Sequence, residues 1–180
     1  MIFLPNLDRG LIAGGLEFAR YYVHDGDSFA AFFFAYYPFN HYYDRFAAHK
    51  KPSPKRYQRD DFGRVREREK LRFLADQDYF QTIYVQFQRE FEPVTQDEVR
   101  LPVINMMTGE SVPHEVSGDA KLSTLSAWDL FDTLYTIRNN LFHGQKRIDD
   151  HDRDWPLCAA AAQVLIAFLD HLLRNTTESL

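Results

Sequence analysis

The chain has 180 residues, a net charge of −5 and 45% hydrophobic residues, which is enough to bury one substantial core. A single cysteine, Cys158, excludes both a disulfide framework and a thiolate metal site. The N-terminal MIFLPNLDRG lacks the basic start and apolar run of a secretory signal, and no apolar stretch is read as a membrane span, so one soluble, cytoplasmic domain is expected.

Residues 10–24 predict a first helix with Leu11, Leu16, Ala19 and Val23 inward, weakened by Gly14 and Gly15. His24-Asp25-Gly26 breaks it, and Asp27 or Ser28 caps a second helix, SFAAFFFAYYPFNHYYDRF. That helix is apolar or aromatic almost all round, so its own domain or a partner must cover it on several sides. Pro38 is expected to kink it. Asn40, polar among aromatics, reads as a structural amide in need of a hydrogen-bond partner.

From His49 to Arg59 the chain is a proline-punctuated basic loop, expected to be mobile. Between His49 and Arg72 stand ten Lys or Arg against four Asp or Glu, a local +6 on a chain whose remainder carries −11. Such a segment either tracks phosphates, with Lys50, Lys51, Lys55, Arg56 and Arg59 as the RNA-binding set, or is a solvated linker and helix face. A third helical region follows from Asp61 to Phe91, broken near Asp76 to Asp78. Its apolar face is Leu71, Phe73, Leu74, Phe80, Ile83, Tyr84 and Phe87, and Pro93 stops it. Residues 99–116 hold two short β-like runs around Thr108-Gly109, consistent with a small hairpin or an irregular excursion.

The stretch Ser123 to Gly144 reads as one amphipathic helix with Leu130, Leu134, Ile137 and Leu141 on its core face. Ser123 or Thr124 caps its start, and Gly144 is placed to end it. Phe131, Tyr135, Arg138 and Phe142 form a second stripe, expected at or near a contact between two copies of the chain. A polar turn leads to a last helix, LCAAAAQVLIAFLDHLL, with Asp154 as cap and Pro156 in its first turn. The sum is an all-α, up-and-down helical bundle with a basic loop insertion and a small β-hairpin.

The end of the motif helix gathers Arg138, Asn139, Asn140 and His143. Arg138 and His143 point about 140° apart on an ideal helix, whereas Asn139 and His143 share a face. An Arg and a His at this spacing are weak evidence alone; their position at the end of a well-formed amphipathic helix gives them weight. The acidic turn Asp149, Asp150, His151 and Asp152 reads as charge favourable at a helix N-terminus, and no metal or other cofactor is expected.

The run LYTIRNNLFHGQK, Leu134 to Lys146, resembles the signature of HEPN domains, in which Arg is followed by a polar residue and then His. The second helix, AAFFFAYYPFNHYY, is similar to an aromatic helix that many of them carry. The resemblance implies a helical domain that dimerises with its motif helices facing. It also implies metal-independent endoribonuclease activity, often in toxins or antiphage effectors, with Arg138 and His143 as the catalytic pair and Asn139 beside them. A nucleotidyltransferase-type antitoxin is the partner it implies. The rival expectation is a non-catalytic dimer of the same fold that binds RNA or protein.

Overall fold

The computed structural model describes residues 8–91, 103–105, 107–113, 121–142 and 151–175. Its helices are α1 (Arg9–Asp25), α2 (Ser28–Lys50), α3 (Glu67–Ala75), α4 (Asp78–Phe91), α5 (Ala127–Phe142) and α6 (His151–Asn175). Between α4 and α5 lies an antiparallel hairpin, β1 (Val103–Ile104) paired with β2 (Ser111–Val112), with Gly109 left-handed at its turn. Among the described residues the protein is a helical bundle with one minimal hairpin.

Local chemistry sets the first helices. Asp8 accepts the Leu11 amide at 2.9 Å to start α1, and Gly26 ends it at φ 83°, a conformation that side chains resist. Asp27 then caps α2 through the Ala30 amide, as expected. Ile12, Leu16 and Ala19 are buried on α1, but Val23 is exposed, so the inward stripe ends earlier than the spacing suggested. Gly15 is no weak point. A Cβ there would stand 2.7 Å from the Pro38 ring and 3.0 Å from the Phe34 carbonyl oxygen, so its bareness lets α1 approach α2. α2 runs unbroken through Pro38 and packs against α1, α3 and α6.

Four helices meet at a cluster of rings. Phe39 of α2, Phe80 and Phe87 of α4, Phe131 of α5 and Phe168 of α6 are all buried, with centroids 5.2 Å apart for Phe39–Phe131 and 5.3 Å for Phe80–Phe131 and Phe87–Phe168. Edge and tilted contacts of this kind add about 0.5–1.5 kcal/mol per pair beyond area burial. Phe131 is therefore a core residue, which corrects its expected place at a contact between copies. Its ring has no face left for a second chain.

Several boundaries move for identifiable reasons. Leu122–Thr124 form a separate 3-10 turn, and α5 starts at Ala127 because Ser126 accepts the Asp129 amide (3.1 Å) and donates to its carboxylate (2.6 Å). α3 starts at Glu67 rather than Asp61, because residues 59–65 are committed to a bridged turn. In it Arg59 pairs with Val65, and the Asp60 carboxylate accepts the amides of Phe62 (3.0 Å) and Arg64 (2.8 Å). Buried Tyr57 anchors the same excursion through Asp76 at 2.9 Å. The basic segment is held by these contacts along its length. The break after α3 falls at Asp76 and Gln77, where expected.

α6 begins at His151, so Asp154 lies inside the helix and Pro156 in its second turn. Trp155–Asn175, at a mean hydropathy of 1.7, is long and apolar enough to cross a membrane by length and composition. That corrects the reading that no stretch approaches a span. Its Leu157, Ala161, Leu165, Phe168 and Leu172 are buried where the helix packs on α1, α2 and α4.

Two adjacent glycines give a test with opposite signs. Gly14→Ala meets nothing within 4 Å and removes a helix penalty, so it should stabilise by about 0.5–1 kcal/mol. Gly15→Ala should destabilise by about 1–3 kcal/mol through overpacking. Urea denaturation of both variants checks this, and equal signs would contradict the packing.

Buried phenols make stability pH-dependent. Burial, with the bond to Asp76, pushes Tyr57 up to about 12, and burial raises Tyr42 and Tyr84 further. Unfolded tyrosines ionise near pH 10. The folded chain thus holds more protons above that value, and stability that is complete below pH 10 falls as pH rises toward 12. Denaturation midpoints that stay flat across this range would contradict it.

Candidate functional site

The core face of α5 is formed as its periodicity predicts, with Leu130, Leu134 and Ile137 buried and Leu141 half-buried. A second face of the helix is polar and still buried. Asp132 is 4% exposed and accepts a two-pronged bond from Arg68 of α3, Nε to Oδ1 at 2.6 Å and Nη2 to Oδ2 at 2.5 Å. That bond holds the Arg68 guanidinium more firmly protonated than usual. Arg68 and Arg72 both lie over the Trp128 ring, at 5.7 and 5.8 Å. α3 is thereby fixed along α5, and Glu67, one residue before the fork, is carried toward the helix end.

Arg138 stands in the last turn of α5 with its side chain 28% exposed. Its Nη1 donates to Asn139 Oδ1 at 2.7 Å and to Glu67 Oε2 at 3.4 Å, and its guanidinium lies 5.8 Å from the Tyr36 ring centroid. On the far side of Glu67, the Tyr43 hydroxyl is 2.5 Å from Oε1 and also bonds Asn40 Oδ1. Tyr43 has one proton for these two acceptors and serves one at a time. Burial drives the phenols of Tyr36 and Tyr43 far above their ordinary range, so both are neutral near pH 7. Arg138, Tyr36, Asn40, Phe33 and Tyr37 line a cleft of about 100 Å³.

Some of the expected site residues find a place here, and others do not. Arg138 and Asn139 are together, but the Asn139 carboxamide orients the arginine. Asn140 is 2% exposed and donates to the Ile104 carbonyl at 2.8 Å, pinning the hairpin to α5; it is structural. Asn40, read as a buried amide, lines the cleft half-buried with Tyr43 as its partner. Glu67, Tyr36 and Tyr43 are additions. Nothing local in the sequence marks Glu67, since its role comes from the docking of α3 on α5. His143 lies outside the described residues, as do the side chains of Phe142 and of Asp149, Asp150, His151 and Asp152. Tyr135 is half-buried.

The basic set divides. Lys50, Lys51 and Lys55 are exposed. Arg56 pairs with Asp76 at 2.9 Å and lies over the Tyr57 ring, and Arg59 donates to the carbonyls of Gly63 and Pro52. Compared with family models, curated proteins and solved structures, the chain matches none.

Chemically the arrangement is a guanidinium held at a set position beside a small cleft, with neutral phenol and amide groups around it. It suits the binding of an oxyanion, with the fork supplying charge and direction.

The Arg68 fork yields a stability test. Arg68→Met leaves the Asp132 carboxylate buried without a partner and should cost about 1.5–3 kcal/mol, the worth of a hydrogen bond to a charged group. Adding Asp132→Leu should recover much of that loss, because an apolar pair removes the desolvation burden. A double variant less stable than the single one in urea denaturation would contradict this account of the pair.

Proposed function

We propose that this chain is a metal-independent endoribonuclease of the HEPN type, acting as a cytoplasmic homodimer in a toxin or antiphage role. The observation that carries the reading is the placement of Arg138. It sits at the end of α5, five positions before His143, is oriented by Glu67 and Asn139, and borders a cleft sized for a phosphate group. The family resemblance of the run from Leu134 to Lys146 supplies the reaction type and the nucleotidyltransferase-type antitoxin as partner.

The chemistry follows from the groups. The ribose 2′-oxygen attacks phosphorus as its proton passes to an imidazole. The bond from phosphorus to the 5′-oxygen breaks, and a second, protonated imidazole donates to the leaving oxygen. One His143 cannot do both in one step, and a second copy of the chain supplies the other. Arg138 binds the phosphate oxygens and offsets the charge that builds on them. Products then carry 2′,3′-cyclic phosphate and 5′-hydroxyl ends.

Purified protein should cut single-stranded RNA in excess EDTA and leave DNA intact. His143→Ala should lower the rate by about 10²–10⁴-fold. Arg138→Ala should cost about 3–4 kcal/mol of transition-state stabilisation, and Arg138→Lys should restore only part of it. A metal requirement, 5′-phosphate ends or cleavage that survives His143→Ala would sink the mechanism. Binding of RNA without cleavage would favour the rival reading, for which the exposed rings of Phe33 and Tyr37 also speak.

A further inference from the structure

The cleft beside Arg138 is not alone on its face of α2. Phe33, Tyr37, Asn40, Asp44 and Ala47 lie within about 40° of one line down the helix. Past Asn40 the same line enters a second, larger cleft of about 450 Å³, lined by Asp44, Ala47, Lys51, Pro52, Arg59 and Lys70. It holds three cations against one carboxylate, and Asp44 is already spanned by Lys70 at 2.5 Å. Lys51 closes α2 as its C-cap in the left-handed conformation, at φ 53°, which places an exposed ammonium at the end of the line.

The other end of the line is aromatic and solvent-facing. Tyr37 is 57% exposed and Phe33 44%, and exposed rings suit base stacking. Between them and Arg138 lies the buried ring of Tyr36, with the Arg138 guanidinium 5.8 Å from its centroid. Along about 16 Å of helix, from Asn40 to Lys51, the surface therefore passes from rings beside a guanidinium to a pocket of ammonium and guanidinium groups. A single-stranded polynucleotide presents that alternation: flat bases on one side and phosphates at intervals.

We propose that this face of α2 is a binding track for single-stranded RNA, resting on the ribonuclease reading for the choice of RNA. A base stacks on Tyr37 next to the phosphate held at Arg138, and a phosphate a few nucleotides along the strand seats in the cleft of Lys51, Arg59 and Lys70. The folded basic excursion serves as the wall of that second cleft. Of the basic residues, those facing the line count and those off it do not. Arg45, exposed and about 100° round the helix from Asp44, is a cation outside the track.

The test uses a 2′-O-methyl single-stranded oligonucleotide, which binds but offers no 2′-hydroxyl for cleavage, followed by fluorescence anisotropy across a salt series. Tyr37→Ala should weaken binding about fivefold to a hundredfold with an unchanged salt slope. Lys51→Asn, a residue that tolerates the left-handed cap, should weaken binding and reduce the salt slope by about 0.7, the value for one phosphate on a single strand. Arg45→Gln should change neither. Circular dichroism melts of the three variants establish that each is folded. Equal effects of Lys51→Asn and Arg45→Gln, full affinity in Tyr37→Ala, or no binding of the oligonucleotide would each overturn the track. Because this RNA cannot be cut, the expected pattern in a protein that cleaves nothing would remove the ribonuclease reading and leave the track standing.

Discussion

The structure turns on one helical turn of α3. Glu67 and Arg68 are adjacent in sequence, and each is bound to a different part of α5: Arg68 to buried Asp132 through two bonds, and Glu67 to Arg138 near the helix end. A buried carboxylate is costly to leave unpaired, so the Asp132 fork tolerates little sliding of α3 along α5. That rigidity passes to its neighbour. Glu67 is placed against Arg138 and Tyr43 because Arg68 is held, and the cleft between α2 and α5 takes its shape from the same attachment.

A second constraint is aromatic. The rings of Phe39, Phe80, Phe87, Phe131 and Phe168 lock α2, α4, α5 and α6 together, and Gly15 lets α1 close over α2 at Pro38. Against this stiff interior, Arg138 sits at a helix terminus with limited exposure, restricted by Glu67, Asn139 and Tyr36 among its neighbours. Charge stabilisation in catalysis is effective when the charged group needs no reorganisation at the moment of reaction. Oriented by Glu67 and Asn139, Arg138 would meet that condition in the reaction proposed above.

Much of the fold is legible in the sequence where a local rule decides it. The caps at Asp27 and Gly26, the apolar faces of α4 and α5, the break at Asp76 and the hairpin around Gly109 all follow from spacing or turn chemistry. The start of α3 is hidden because Asp60 and Arg59 close a turn through contacts that have no periodicity. Phe131 looks like part of an outer stripe because a helix-wheel projection of α5 does not show that α4 and α6 converge behind it. At the site, Arg138 and Asn139 stand out in sequence through their position at a helix end. Glu67, 71 positions away from Arg138, does not, since only the docking of α3 brings it there. Gly15 shows the same limit: in sequence it is a helix weakness, and in three dimensions it is where α1 lies close against Pro38 of α2.

The central claim is that Glu67 acts through Arg138, and a double-mutant cycle measures it directly. Glu67→Gln keeps the size of the side chain and removes its charge, and its effect on affinity for an uncleavable single-stranded oligonucleotide is read first with Arg138 present and then with Arg138→Ala. If Glu67 sets the position and field of the guanidinium, its effect should disappear in the second background, leaving a coupling energy of about 0.5–3 kcal/mol. Equal effects in both backgrounds, additive within about 0.3–0.5 kcal/mol, would contradict the claim.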